Sequence, residues 1–297
     1  MKDYRKYLNP KVVAKLKNIE LIAKLVVEGF ITGLHRSPFH GFSVEFAEHR
    51  AYRPGDEIKY LDWKVLGRTE KYFVKQFEEE TNTRIMIVLD ASASMKFASG
   101  DNLTKYEYGS YLAASLALLM IQQRDAAGLA LYDTEIRKYL TPNSRPSYIR
   151  EILKTLETNQ PQNQTGTANC LNLIAERMNK RSLVVIISDF FDDPDSTLKA
   201  LQHFRHNSNE VIAFQILDDR ELDFKFGQSA NFVDAETNET LITHPYQIQK
   251  AYQDSIKKFT ANLKSQCHFH NIDYNLITTS TPFDKALVTY LNKRKKV

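Results

Sequence analysis

Two cysteines in 297 residues, Cys170 and Cys267, are too few for a disulfide framework, and neither sits in a clustered-cysteine pattern. That excludes the stapled secreted folds and the common zinc motifs, and it points to a reducing compartment. Glycine and proline are scarce, at ten and nine residues, so collagen-like and low-complexity readings fail. Long hydrophobic runs are missing too: YLAASLALLMI at 111–121 is about half of the ~20 residues that a spanning helix needs. The opening MKDYRKYLNPKVVAKLKNIE carries charges every few residues and no apolar stretch of the signal-peptide kind, so a cytoplasmic protein without a membrane anchor is expected. Charge of one sign is not in excess either. Forty Lys plus Arg against 36 Asp plus Glu leave +4, which gives no indication of nucleic acid, and the basic tail 293–296 reads as a solvated helix end.

What the chain does have is 42% hydrophobic and 26% charged residues, enough for one large or two ordinary globular domains. From Pro10 to Phe30 apolar residues recur at three- and four-residue steps, predicting one amphipathic helix that begins at Pro10. Residues 34–80 are dense in charge, aromatics and turns; short strands are expected near 43–52 and 71–78, with a turn at 53–56. Beyond them, short bounded runs rich in Val, Ile and Leu stand at 85–89, 127–132, 183–187, 211–217 and 274–278, separated by helical patterns. Such alternation predicts an α/β fold, a doubly wound and mostly parallel sheet with helices on both faces. The stretch 134–140 is expected as an edge strand, and the insert at about 221–243 contains a hairpin around TNET. The expected division is a smaller helix-and-strand region at 1–80 and the α/β domain at 81–297.

In open α/β sheets ligands bind beyond the carboxyl ends of the strands. The first run ends in Asp90-Ala91-Ser92-Ala93-Ser94, the third in Ser188-Asp189, and QTGTANCL places Thr165 and Thr167 in a glycine-containing loop before a helix. Carboxylates and hydroxyls on three loops make an all-oxygen site suited to Mg²⁺ or Mn²⁺. Ser92 and Ser94, alternate residues of an extended turn, can aim at one point, with Asp90 supplying charge from behind. The alternative is that these residues only turn the chain and cap helices.

VLDASASM, TGTANCL and VVIISDF, in that order, resemble the metal-ion-dependent adhesion site of von Willebrand factor A domains. The resemblance makes Ser92, Ser94 and Thr167 direct metal ligands, and Asp90 and Asp189 carboxylates that often act through water. More narrowly, Gly41, Glu45, Phe46, Arg50, Tyr52, Gly55, Asp56, Asp62, Trp63 and Arg68 resemble the signature of the bacterial family called domain of unknown function 58. It implies a von Willebrand A-like domain. Members are often encoded beside MoxR-type AAA+ ATPases, which makes such an ATPase the expected partner, in assembly or maturation of a protein complex. The amino-terminal membrane helices of many members have no match here.

Arg50, Arg53, Asp56, Asp62, Trp63 and Arg68 form a candidate docking face; the alternative is an ion-pair network seating the first region on the sheet. The expected function is a non-enzymatic, divalent-metal-dependent protein-binding module whose partner supplies an Asp or Glu to the metal. A Mg²⁺-dependent phosphohydrolase of the haloacid dehalogenase type, using Asp90, is the alternative. That chemistry usually wants a second Asp two residues on, where this chain has Ser92.

Overall fold

A computed structural model describes residues 4–16, 18–34, 49–51, 67, 72–75, 83–178, 180–226, 230–236 and 239–294. The chain divides into two units, Leu34–Asn82 and a larger one of Met1–Gly33 with Thr83–Val297. In the smaller unit strand β1 (His49–Ala51) pairs antiparallel with β2 (Phe73–Lys75), with Arg50 opposite Val74. Arg53, Asp56, Asp62, Trp63 and Arg68, together with the side chain of Arg50 and the expected turn at 53–56, lie outside the described residues.

The larger unit opens with α1 (Pro10–Val13) and α2 (Ile19–Leu34). The sequence pattern predicts one continuous helix, and the structure breaks it in two. Asn9 caps the first piece by accepting a hydrogen bond from the Lys11 amide, and Asn18 caps the second by accepting from the Leu21 amide, which starts a new helix inside an unbroken apolar stripe. Ile22, Ala23, Val26, Val27 and Phe30 on α2 are buried.

The sheet of this unit takes its strands from the apolar runs: β3 (Arg84–Asp90), β4 (Ala126–Tyr132), β5 (Ile136–Asn143), β6 (Leu183–Ser188), β7 (Glu210–Leu217) and, after the hairpin strands β8 (Ala230–Val233) and β9 (Thr240–Thr243), β10 (Asp273–Thr278). Their order is β10-β7-β6-β3-β4-β5, parallel throughout except for β5 at the edge. The edge strand and the hairpin stand where the sequence places them. Helices α3 (Lys105–Gln122), α4 (Ile149–Thr158), α5 (Thr167–Arg177), α6 (Pro194–His206), α7 (Asp219–Asp223), α8 (Pro245–Phe269) and α9 (Phe283–Arg294) make the connections. This is the von Willebrand A-like arrangement.

Side chains alternate across the strands, so Met86 and Val88 join Val184, Ile186, Leu171, Ile174, Leu201, Phe204 and Leu263 on the face covered by α5, α6 and α8. On the other face Gly109 of α3 sits so close to the sheet that a Cβ there would lie 2.8 Å from Leu89 Cδ1, and Tyr108 stacks on Phe283 of α9 at 4.6 Å. Each fully buried aliphatic side chain in such a core contributes ~1.5–3 kcal/mol. Nearly every residue of α3 is buried, which explains the longest apolar run as a core helix covered on all sides. Among the described residues no helix is long and apolar enough to cross a membrane.

Strand β3 has β4 on one side and β6 on the other, and successive connections leave it in opposite directions. The crevice between the carboxyl ends of β3 and β6 is therefore the topological switch point of the sheet.

Candidate functional site

Asp90 ends β3, and its carboxyl group is sealed from solvent. Its Oδ1 accepts a hydrogen bond from the Ser92 amide at 2.9 Å, and its Oδ2 accepts one from Ser188 Oγ, at the end of β6, at 2.6 Å. Burial, and next the charge of nearby Asp189, raise its pKa to about 7. Among the described residues it has no cationic partner within 4.0 Å. The Ser92 and Ser94 hydroxyls lie 3.0 Å apart, but not through the extended turn expected: Ser92 is extended, while Ser94 lies in a 3₁₀ turn over Ala93–Lys96.

The loop before α5 is fastened against this turn by backbone. Ala93 N donates to Asn163 O at 2.9 Å and Gln162 N donates to Ala91 O at 2.9 Å, while Asp133, just past β4, accepts from Asn163 Nδ2 and, through its carbonyl, from the Gly166 amide. Thr167 is thereby held at the first turn of α5, its amide donating to Asp192 Oδ2 at 3.0 Å. Its hydroxyl is wholly buried and has no hydrogen-bond partner. The Tyr132 hydroxyl likewise has no partner within 3.5 Å; burial with the charge of Asp90 holds it well above the ordinary tyrosine range, and the neighbouring Ser188 and Thr167 hydroxyls oppose that shift. An unsatisfied buried hydroxyl destabilises by roughly 1–3 kcal/mol, so two of them beside a buried carboxylate mark a place arranged for something other than stability.

Asp189 follows β6. Its Oδ1 accepts from the Phe191 amide at 3.1 Å and its Oδ2 pairs with Lys105 Nζ at 2.7 Å, and the same ammonium reaches Glu221 Oε1 at 2.7 Å. Burial alone would lower the Lys105 pKa, but the charges of Asp189 and Glu221 outweigh it and hold the ammonium form firmly. Phe190, next along, takes φ +55, an uncommon conformation for a bulky residue, with its amide bound to Ser188 Oγ at 2.9 Å.

Asp90 thus ends β3, Ser92 and Ser94 follow it, Asp189 follows β6, and Thr167 opens α5. The sequence pattern does not single out Lys105 or Tyr132, and it marks Ser188 only as the end of an apolar run. One signal was available for Lys105: a lysine in the first turn of a helix opposes the dipole and calls for acidic company. Among the described residues no group of three or more His, Cys, Asp or Glu could hold a metal, so an ion here would have to be bound through hydroxyls. The donor set fits one of hard character: three hydroxyl oxygens, one of them orphaned, and a buried carboxylate with no counter-charge. Nothing in the geometry favours the phosphohydrolase alternative, since both Asp90 oxygens are engaged as acceptors inside the protein.

Among solved structures, the conserved hypothetical protein BatB from Bacteroides thetaiotaomicron is similar with a TM-score of 0.49 and 15% identity, covering 72% of this chain and 98% of that one. The SpRpn10 VWA domain is similar with a TM-score of 0.38 and 12% identity over 69% and 93% of the two chains. The uncharacterized proteins Rv1480 of Mycobacterium tuberculosis and Mb1516 of Mycobacterium bovis are each 26% identical over 259 residues, spanning 85% of this chain and 79% of theirs. The family described as protein of unknown function DUF58 matches residues 48–262, more than two thirds of the chain, and the protein belongs to that family.

Proposed function

We propose that this chain is a metal-dependent protein-binding module whose partner presents an Asp or Glu to the site at the β3/β6 crevice. The observation that carries the reading is Thr167 Oγ1, a fully buried hydroxyl left without a partner at the end of the loop whose backbone is fastened to Ala91 and Ala93. Ser92, Ser94 and Thr167 would hold Mg²⁺ or Mn²⁺ directly, with Asp90 and Asp189 supplying charge. A bound ion would supply an electrophilic centre that accepts a carboxylate oxygen from outside the chain. The chain's own residues orient this centre: Ser188 and the Ser92 amide fix the Asp90 carboxylate, and Lys105 fixes that of Asp189. Phe191, 38% exposed beside Asp189, offers apolar surface at the rim, of the kind that surrounds a polar hot spot. On this reading the module binds and has no turnover of its own, and family membership supports a MoxR-type AAA+ ATPase as the partner.

The test is capture of that ATPase from native lysate on immobilised protein with Mg²⁺ and then with a chelator, beside a Ser92→Ala plus Ser94→Ala variant. Capture is expected only for the wild type with metal, while circular dichroism and melting temperature stay unchanged between the proteins. Equal capture in chelator overturns the metal reading. Calorimetry showing equal Mn²⁺ binding by wild type and Asp90→Ala overturns the site.

A further inference from the structure

We propose that Lys105 is a built-in counter-cation that sets how tightly the candidate site holds its metal, with Glu221 as the positioning residue that restrains it. The inference rests on the metal reading above and deepens it.

Lys105 stands in the first turn of α3, its amide donating to Phe97 O at 3.1 Å, and its side chain is buried. The ammonium is held from two sides, by Asp189 Oδ2 and by Glu221 Oε1, each at 2.7 Å, and it lies 5.1 Å from the centre of the Phe191 ring. Glu221 is itself fixed. Its other oxygen accepts from the Asp218 amide at 2.7 Å, and Asp218 accepts in turn from the Ser99 amide and from Thr279 Oγ1. The ammonium is therefore kept against Asp189, one of the carboxylates expected to serve the metal.

Among the described residues this group sets three carboxyl groups, those of Asp90, Asp189 and Glu221, against one ammonium. Asp90, Asp189 and Lys105 are sealed from solvent, where fixed charges act far more strongly than in water. An ion bound through Ser92, Ser94 and Thr167 gains from Asp90 and Asp189, but the ammonium on Asp189 cancels part of that gain. Glu221 offsets the ammonium. The pull of the site on a cation is the balance of these four groups, and an acidic side chain from outside raises it. Metal and partner then strengthen each other's binding by the same factor.

The experiment follows Mn²⁺ binding to the full chain by calorimetry, with circular dichroism as the check on folding. Lys105→Gln is expected to bind Mn²⁺ about tenfold tighter than wild type and Glu221→Gln about tenfold more weakly, the scale of one nearby charge in a protein interior. The double variant removes one charge of each sign and should return close to wild type. Damage to packing would weaken binding in all three, so the opposite signs separate charge from structure. If Lys105→Gln alone does not fold, the double variant decides: binding no better than that of Glu221→Gln overturns the inference. Equal affinities in all the proteins overturn it as well and leave the metal site standing. Tight binding that survives Thr167→Val in the Lys105→Gln background puts the ion in the ammonium's own place, which also overturns it. No Mn²⁺ binding by any of the proteins overturns the metal reading together with this inference.

Discussion

Lys105 Nζ lies 2.7 Å from Asp189 Oδ2, and both side chains are sealed from water, one at the start of α3 and the other at the end of β6. Their pairing ties a helix to the sheet where the candidate site opens. Lys105→Met leaves Asp189 and Glu221 without their shared counter-charge, at an expected loss of ~3–5 kcal/mol in urea unfolding. Adding Asp189→Asn should recover part of that loss, because one of the stranded charges is gone. A Lys105→Met protein as stable as wild type would contradict the burial of the pair.

Thr167→Val separates stability from function. The substitution replaces an unpartnered buried hydroxyl with a methyl group of similar shape, so stability should hold or rise by about 1 kcal/mol. Mn²⁺ binding followed by calorimetry should meanwhile fall below detection. A variant that binds Mn²⁺ as wild type does would remove Thr167 from the ligand set.

Gly128 in β4 has no space for a side chain. A Cβ would stand 2.7 Å from Leu140 O and 2.8 Å from Pro142 N, both backbone atoms of the neighbouring edge strand. Gly128→Ala must push β5 away at the irregular step of the β4–β5 ladder, for an expected cost of ~1–3 kcal/mol and a lower melting temperature. An unchanged melting temperature would show that the edge strand is not packed this closely.

Both thiols are expected to be silent in the native protein. Burial raises the pKa of Cys170 and of Cys267 to about 12, far above the free thiol, so almost no thiolate exists at pH 8 and neither sulfur is exposed. Iodoacetamide followed by mass spectrometry should add nothing to the folded chain and two groups in denaturant. Labelling of either cysteine in the folded state would show that its helix opens.

Much of the fold is legible in the sequence because each central strand is a short, bounded run of Val, Ile and Leu, and burial on both faces permits little else. The break between α1 and α2 is hidden by the same logic: the apolar stripe continues through Asn18, and one side-chain cap decides where the second helix begins. At the site, Asp90, Ser92, Ser94, Thr167 and Asp189 stand out by following strands or opening a helix. The contacts that set their chemistry do not, because Lys105 meets Asp189 across 84 residues and Glu221 across 116. Local pattern carries no information about such pairings.

The switch point also governs when the site comes into being during folding. Asp90 and Ser188 are 98 residues apart in sequence, and β3 is joined to β6 only after the whole α3, β4, β5, α4 and α5 segment has been looped out. A chain arrested with β3, β4 and β5 in register owns Asp90 but has neither Ser188 nor Asp189 to set against it. The crevice is thus a certificate of completed folding, and any ligand that seats there withdraws finished molecules from the equilibrium with half-built ones.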